Sequence, residues 1–294
     1  MRFPGIIPAV TTPFDASGAI DHDALARNLA GLLDAGVHGF VATGTMGEAG
    51  SLSAEERRSV VESTVRAAGG RVPVIAGVSS GTPAASIGFA TAAAEAGADA
   101  IMLLPPLGYR ADARETVAFY RAVAEAVSLP IMAYNNPEAS GVDMPPALIA
   151  RIGAEVEQVV AIKECSGDAR RIAALLNDSE LEVLVGGDDW ALEGFCAGAT
   201  GWVTGVADCA PAECVELYEA CRAGELERAR TVYARLLPLG RLDMTPKLVQ
   251  FFKGAQDALG FTGGPVRPPR LELDDADRAV LDAAVAALRA PAVV

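Results

Sequence analysis

Short apolar runs alternate with longer amphipathic stretches over roughly the first two thirds of the chain. Runs of this length are typical of strands that are buried on both faces, with glycine or proline often at their borders. We predict eight such strands, at residues 6–10, 39–42, 74–78, 100–104, 131–134, 159–163, 183–186 and 201–204.

The stretches between these runs carry the start and stop signals of helices. Three of them end at an Ala-Gly pair, because glycine accepts the positive φ that a helix C-terminus often requires. These glycines are Gly36, Gly97 and Gly198. Capping boxes and an N-cap followed by proline mark three helix starts. The starts are Ser53 with Glu56, Thr82 with Pro83, and Asp112 with Glu115.

Strand and helix alternation predicts parallel strands joined by helical crossovers. Eight such units that close on themselves form a (β/α)8 TIM barrel, which we assign to residues 1–210. Residues 211–294 contain helical patterns only, and we interpret them as a C-terminal helical extension that packs on the barrel as part of one structural unit. A doubly wound open sheet is the alternative, although eight strands exceed its usual number.

Composition and charge narrow the class of protein. Hydrophobic residues make up 51% of the 294 residues and charged residues 21%, so a large core is expected. No apolar stretch reaches the ~18 residues of a membrane span, and the N-terminus lacks the pattern of a signal peptide. The net charge of −14 disfavours nucleic acid and anionic membranes as partners. We therefore expect a cytoplasmic protein.

Cysteine and histidine are too sparse for an evident metal centre. The five cysteines form no CxxC pair, and the chain contains only two histidines, so a Cys/His metal site is disfavoured. We interpret the cysteines as reduced structural thiols. Neither a metal nor another cofactor is predicted.

Lys163 ends the sixth predicted strand, in the sequence VVAIKECSG (159–167). The chain has three lysines among its 24 basic residues, so lysine is unusual here. One interpretation is a buried ion pair with Glu164, or a side chain that extends to solvent. The other, which we favour, is an amine whose pKa is lowered by burial and which forms a Schiff base with a ketone or aldehyde. Arginine cannot perform this chemistry.

Tyr134 ends the fifth predicted strand, in the sequence YNNP. Its phenol is interpreted either as a core side chain or as a proton shuttle that faces the barrel mouth. Active sites of such barrels lie at the C-terminal ends of the strands, so a phenol here lies beside the amine of Lys163. In that position Tyr134 is expected to act as a general acid and base.

The glycine-rich segment ATGTMGEAG (42–50) follows the second predicted strand. Turns of this kind direct several backbone N–H groups at an anion. A phosphate loop is disfavoured, because neither phosphate-binding glycine motif is present and Glu48 would repel a dianion. We expect a substrate carboxylate instead, with a hydroxyl supplied by Thr45.

Asp188 and Asp189 close the seventh predicted strand. They are interpreted either as caps of the following helix or as acceptors for the hydroxyls of a polar substrate. Magnesium is disfavoured, since no third oxygen ligand is evident nearby.

Taken together, three motifs resemble the dihydrodipicolinate synthase/N-acetylneuraminate lyase family. They are the Gly-Thr-x-Gly-Glu turn at 44–48, the Tyr-Asn-x-Pro at 134–137 and the Ile-Lys-Glu-x-Ser-Gly at 162–167. The resemblance extends from IPAVTTPF at the N-terminus to TPKLVQFFK near residue 250. It implies a (β/α)8 barrel, usually a tetramer built as a dimer of dimers, that joins, cleaves, dehydrates or deaminates 2-oxo acids through a lysine Schiff base, usually without a metal.

The same resemblance implies roles for individual residues. Lys163 would form the Schiff base, Tyr134 would transfer protons and Thr45 would relay them. The segment from Gly44 to Gly47 would bind the carboxylate of the 2-oxo acid. Two further positions complete the implied site: Val203 beside the pyruvate moiety and Asp188 at substrate hydroxyls.

Three positions depart from the family pattern. Met46 stands where a second hydroxyl is frequent, so carboxylate binding there would depend on backbone N–H groups. Ala139 stands where true dihydrodipicolinate synthases carry an arginine for the second substrate's carboxylate. Tyr109 is the nearest counterpart of the tyrosine that the family donates across a dimer interface.

The loss of the arginine removes a charge-assisted bond of ~1.5–3 kcal/mol. We therefore predict a catabolic lyase, hydro-lyase or deaminase that acts on pyruvate or a hydroxylated 2-oxo acid, and not a true dihydrodipicolinate synthase. That synthase is the alternative within the family. A 2-oxo acid sensor without catalysis and a metal-dependent class II aldolase are the alternatives from other classes.

Overall fold

Eight parallel strands form the centre of the computed structural model, which describes residues 2–290. Each predicted run coincides with a strand, and the ends differ by no more than two residues. The strands are β1 (Gly5–Pro8), β2 (Phe40–Ala42), β3 (Val74–Gly77), β4 (Ala100–Leu103), β5 (Ile131–Asn135), β6 (Val159–Glu164), β7 (Glu182–Val185) and β8 (Gly201–Thr204).

The sheet closes into a barrel. Its strands follow the order β1-β8-β7-β6-β5-β4-β3-β2, and all the pairings are parallel. The two ends meet through a parallel bridge between Ala9 and Val41, and the amide of Val10 donates to the carbonyl of Val41 at 2.9 Å. The predicted (β/α)8 TIM barrel is therefore confirmed, and the open doubly wound sheet is wrong.

Helices follow the strands and begin and end at the expected residues. Ser53 and Glu56 form the predicted capping box, as do Asp112 and Glu115, and Thr82 caps its helix. Helices between strands are α1 (His22–Asp34), α2 (Ala54–Ala68), α3 (Pro83–Glu95), α4 (Ala113–Ala126), α5 (Pro137–Ser140), α6 (Pro146–Glu155), α7 (Arg170–Asp178) and α8 (Ala191–Cys196). After β8 come α9 (Pro211–Ala223), α10 (Leu226–Gly240), α11 (Leu248–Leu259) and α12 (Asp275–Arg289).

The C-terminal helices share one hydrophobic core with the barrel. The loop between α11 and α12 also returns to the barrel, where the Arg267 guanidinium donates to the carbonyls of Gly18 and Ser51. As a result, residues of the extension are placed over the C-terminal ends of the strands. Within residues 2–290, no helix has both the length and the apolar character that a membrane crossing requires.

Candidate active site

Tyr134 and Lys163 are direct register partners on β5 and β6. Side chains of register partners in a parallel pair point to the same face of the sheet. Both therefore point into the barrel, and the Lys163 Nζ lies 4.4 Å from the centre of the Tyr134 ring. The Tyr134 hydroxyl accepts a hydrogen bond from Asn136 Nδ2 at 3.0 Å. The predicted proximity of the amine and the phenol is present in the structure.

Glu164 points away from Lys163. Alternation along β6 places its carboxylate on the outer side of the barrel wall, where it accepts from Asn135 Nδ2 at 3.0 Å and from the amide of Ser166 at 2.7 Å. The ion pair between Lys163 and Glu164, which was one interpretation of the sequence, is therefore not formed. A side chain that extends to solvent is also wrong, because Lys163 is only 6% exposed.

The electrostatics of Lys163 differ from the expectation. Burial lowers its pKa, but the negative charges that Tyr134, Cys165, Asp243 and Asp188 carry when ionised exceed this effect, so the pKa is raised above its ordinary value. Burial raises the pKa of Tyr134 to about 12. A phenol with that pKa is uncharged at neutral pH. The prediction of a lowered lysine pKa is wrong, and the resting amine is an ammonium.

The glycine segment after β2 has a strained backbone at both ends. Thr43 and Glu48 adopt φ of 54° and 53°, in the left-handed region that non-glycine residues rarely occupy. Such strain is characteristic of binding and catalytic loops. Gly44, Thr45 and Met46 line the barrel cavity, whereas Gly47 is buried behind them. A Cβ at Gly47 would lie 3.1 Å from the carbonyl oxygen of Val10, so the loop closely approaches the segment that follows β1.

The carboxylate of Glu48 does not face the cavity. It is fully buried and pairs with Lys253 of α11, with 2.7 Å between Oε1 and Nζ. The expectation that Glu48 would repel an anion in this loop is therefore wrong, because its charge is neutralised behind the loop.

A cavity of about 370 Å³ opens at the C-terminal ends of the strands. It is lined by Ala9, Gly44, Thr45, Met46, Met102, Tyr134, Asn136, Glu138, Ala139, Lys163, Cys165, Gly186, Gly205, Asp243, Met244, Thr245, Pro246 and Leu248. A wider cavity of about 870 Å³ lies among strand beginnings such as Val159 and Glu182, at the opposite end of the barrel. Barrel chemistry takes place at the C-terminal ends of strands, so the smaller cavity is the candidate site.

Asp188 does not line this cavity, and protein donors already occupy its carboxylate. Trp202 Nε1 donates to Oδ1 at 2.9 Å, while the amides of Gly205 and Val206 donate to Oδ2 at 3.1 and 3.0 Å. The expected role of Asp188 as an acceptor for substrate hydroxyls is contradicted by these contacts. Its carboxylate instead fixes the turn that follows β8.

The other predicted residues fall into two groups. Ala139 and Thr45 line the cavity and are exposed. Val203 is fully buried within β8 and does not line the cavity, whereas Gly205, two residues further along the chain, does. Tyr109 is 49% exposed and lies outside the lining of the cavity in this single chain.

Three cavity residues were missed by sequence reasoning. Asn136 donates to the Tyr134 hydroxyl, and Cys165 is a free, buried thiol that lines the cavity with Lys163. Asp243 comes from a turn between α10 and α11. Asn136 and Cys165 each lie two residues after a residue that was identified at a strand end. Extending the search by two residues past the strand ends would have found both. No local pattern marks Asp243.

Across residues 2–290, no group of three or more His, Cys, Asp or Glu side chains is arranged to hold a metal ion. The polar groups of the cavity are instead an amine, a phenol, a thiol, amides, hydroxyls and carboxylates. This set is suited to covalent and acid–base chemistry on a carbonyl compound.

Comparisons with known proteins agree with this chemistry. The family model described as Dihydrodipicolinate synthetase family matches residues 2–288. The 4-hydroxy-tetrahydrodipicolinate synthase of Methanothrix thermoacetophila is 40% identical over 285 residues, which cover 95% of each chain. An uncharacterized DapA-like lyase of Halobacterium salinarum is 37% identical over 97% of this chain and 93% of its own.

Solved structures give the same result. A prophage protein of the dihydrodipicolinic acid synthase family from E. coli K12, in complex with pyruvate, superposes with a TM-score of 0.93 at 28% identity. The superposition covers 98% of this chain and 99% of that one. The 4-hydroxy-tetrahydrodipicolinate synthase of Methylacidiphilum fumariolicum SolV gives 0.94 at 28% identity, over 98% and 96%. The chain belongs to the dihydrodipicolinate synthetase family, and it is accordingly a class I aldolase-type lyase.

Proposed function

We propose that Lys163 forms a Schiff base with C2 of a 2-oxo acid. The observation that carries this proposal is the pairing of Lys163 with Tyr134 at adjacent strand ends, inside a cavity that the strained loop also lines. The ammonium must first lose a proton, because its pKa is raised. The neutral amine then bonds to C2, the carbinolamine loses water, and the protonated imine withdraws electrons from C3.

The neighbouring groups have complementary tasks in this proposal. Tyr134, whose hydroxyl is oriented by Asn136, transfers protons during carbinolamine dehydration and bond cleavage. Backbone N–H groups from Gly44 to Gly47 bind the substrate carboxylate, and Met46 contributes no hydroxyl. Thr45 relays protons from the same loop.

The cavity charge favours a catabolic reaction on a hydroxylated 2-oxo acid. Among the described residues that line it, Lys163 is the only cation, whereas Glu138 and Asp243 are both acids. An aldehyde with its own carboxylate would face these acids without a guanidinium, since Ala139 stands at the arginine position. Burying a carboxylate without a partner is costly.

The second candidate function is 4-hydroxy-tetrahydrodipicolinate synthesis. It is favoured by relatives that are 4-hydroxy-tetrahydrodipicolinate synthases by name, such as those of Methanothrix thermoacetophila and Methanopyrus kandleri, at 40% and 36% identity. Condensation of pyruvate with aspartate semialdehyde would distinguish this candidate from cleavage of a hydroxylated 2-oxo acid.

Reductive trapping tests the proposal. Incubation with pyruvate and borohydride should add a stable mass at Lys163, and peptide mapping should locate it there. Lys253 provides an internal control, because it is equally buried but lies away from the cavity. Labelling at another lysine, or no labelling with any of a panel of 2-oxo acids, would overturn the proposal. Measuring the release of pyruvate or ammonia from the same panel identifies the reaction. The activity should be unchanged by EDTA.

We also propose a homotetramer built as a dimer of dimers. The exposure of Tyr109 and Thr45 supports it, because the resemblance places a donated tyrosine beside the site of the neighbouring subunit. Sedimentation velocity tests this assembly, and a monomer would contradict it. The cytoplasmic location expected from the sequence stays a prediction.

A further inference from the structure

The turn Arg241–Met244 carries a carboxylate from the C-terminal extension into the barrel mouth. Asp243 lines the same cavity as Lys163. The start of the turn is seated tightly on the segment that follows β7, since a Cβ at the preceding Gly240 would lie only 2.8 Å from the carbonyl oxygen of Asp188. Asp243 therefore has a fixed position rather than a place on a free loop.

One oxygen of this carboxylate remains available. Asp243 Oδ2 accepts a long hydrogen bond of 3.4 Å from the amide of Asp188, and within residues 2–290 no protein group donates to Oδ1. Asp188 is the opposite case, because Trp202, Gly205 and Val206 occupy both of its oxygens. The carboxylate that can accept from a ligand is therefore Asp243.

The direction of the substrate follows from the barrel order. The loop after β2 and Lys163 on β6 lie on different sides of the mouth, while Asp243 lies over the end of β7, next to β6. A 2-oxo acid whose carboxylate is bound at the loop and whose C2 is bonded to Lys163 extends the rest of its chain past Lys163, away from the loop. Asp243 borders this region together with Thr245, and Glu138 borders it from the side of α5.

We propose that Asp243 selects the substrate by accepting a hydrogen bond from a hydroxyl on the chain beyond C4, and that it excludes a second carboxylate. This inference rests on the Schiff-base function proposed for Lys163. Burial raises the pKa of Asp243 to about 6, so the carboxylate is charged at neutral pH. A hydrogen bond to a charged acceptor discriminates more strongly than one to a neutral group.

A ratio of specificity constants tests the inference. Pyruvate release is measured from a 3-deoxy-2-oxohexonate, which carries hydroxyls beyond C4, and from 4-hydroxy-2-oxohexanoate, which has an apolar end. The unmodified protein should prefer the first, and Asp243→Asn should lower the ratio of the two kcat/KM values about tenfold or more. Any effect of the substitution on Lys163 itself acts on both substrates and cancels in the ratio.

Asp189→Asn is the matched control. It also removes one negative charge, but from an aspartate that lies outside the cavity lining. Its ratio should stay within twofold of the unmodified protein. A third substrate, 4-hydroxy-2-oxoglutarate, carries a second carboxylate and should be cleaved better by Asp243→Asn than by the unmodified protein, relative to the hexanoate.

The outcomes separate this inference from the function on which it rests. If borohydride traps no 2-oxo acid on Lys163 of the unmodified protein, the Schiff-base function fails. If trapping is normal but Asp243→Asn leaves the ratio unchanged, or if the unmodified protein prefers the dicarboxylate, the role of Asp243 alone is overturned.

Discussion

Lys253 and Glu48 form an ion pair that is almost completely buried, with exposed side-chain fractions of 2% and 0%. Glu48 ends the loop proposed to bind the carboxylate, and Lys253 belongs to α11 of the extension. The amide of Arg267 also donates to Glu48 Oε2 at 3.1 Å. The extension thus holds the strained end of the loop in place.

Replacing Glu48 with Gln should be strongly destabilising, because it leaves a buried ammonium without its counter-ion. Removal of one partner of such a pair costs about 3–5 kcal/mol in the free energy of unfolding. The KM for the 2-oxo acid should also rise, since the loop loses its anchor. Urea unfolding and steady-state kinetics measure these two effects.

A double variant provides the control for this prediction. Glu48→Gln combined with Lys253→Met removes both charges and should regain a substantial part of the lost stability. If the single and double variants unfold at the same urea concentration, the pair does not anchor the loop electrostatically.

Tyr134→Phe should keep the fold and substrate binding but lower turnover by roughly 10²–10³-fold, as expected for the loss of a general acid and base. Tyr120→Phe is a matched control, because the Tyr120 hydroxyl donates to the carbonyl of Leu103 at 2.7 Å and lies outside the cavity. That control should lose some stability but retain turnover. Near-normal turnover of Tyr134→Phe would reduce Tyr134 to a packing residue.

The pH dependence of Schiff-base formation should reflect the raised pKa of Lys163. The neutral amine is the reactive form, so the initial rate of trapping should increase with pH through neutrality. Asp243 attracts the ammonium and raises its pKa, so Asp243→Asn should lower that pKa and move the rate profile toward lower pH. Quenched-flow trapping at several pH values measures the shift, and an unmoved profile would contradict the electrostatic coupling.

Asp208 provides a test in the core. It is fully buried, and neither of its carboxylate oxygens has a hydrogen-bond partner within residues 2–290 that meets normal geometry. Burial raises its pKa well above the ordinary value, although the amide of Thr11 lowers it somewhat. The folded state therefore binds a proton that the unfolded chain releases above about pH 4.

The sign of the stability effect follows from this linkage. Stability contributed by the protonated Asp208 is complete below the unfolded pKa and is lost as pH rises toward the folded pKa. Asp208→Asn, which cannot ionise, should be more stable than the unmodified protein at pH 8, and the difference should decrease toward pH 4. Thermal or urea unfolding across this range measures it, and a constant difference would show that Asp208 is not the titrating group.

Much of the barrel could be predicted because its signals are local. Most strands are apolar runs with glycine or proline near a border, and residues such as Ser53 and Gly36 mark helix ends within a few positions of the chain. The pairing of Tyr134 with Lys163 also follows from local information, because consecutive strands of a barrel are neighbours. The strand-end rule then identifies both as candidates.

The errors concern contacts between residues that are distant in the sequence. Asp188 was expected at the substrate because nothing near it reveals that Trp202 occupies its carboxylate. Glu48 was expected to repel anions because Lys253 lies far along the chain. The pKa of Lys163 was predicted in the wrong direction, because only burial was considered, whereas Tyr134, Cys165 and, from the C-terminal extension, Asp243 raise it.

Ala139 distinguishes the two candidate functions. It lies in the single turn of α5, is exposed and lines the cavity next to Glu138. We expect aspartate semialdehyde to be a poor co-substrate of the unmodified protein, because its carboxylate finds no cation there. Ala139→Arg should improve kcat/KM for its condensation with pyruvate about tenfold or more, since a charge-assisted hydrogen bond contributes ~1.5–3 kcal/mol.

Two controls make this prediction specific. Ala84→Arg adds the same charge at an exposed position of α3, outside the cavity lining, and should have no such effect. Trapping of pyruvate on Lys163 should be unaffected by Ala139→Arg, because the substitution concerns the second substrate only. If the unmodified protein instead condenses pyruvate with aspartate semialdehyde at a kcat/KM above ~10⁴ M⁻¹s⁻¹, which is within the ordinary range of enzymes, the catabolic proposal is wrong and the chain is a synthase.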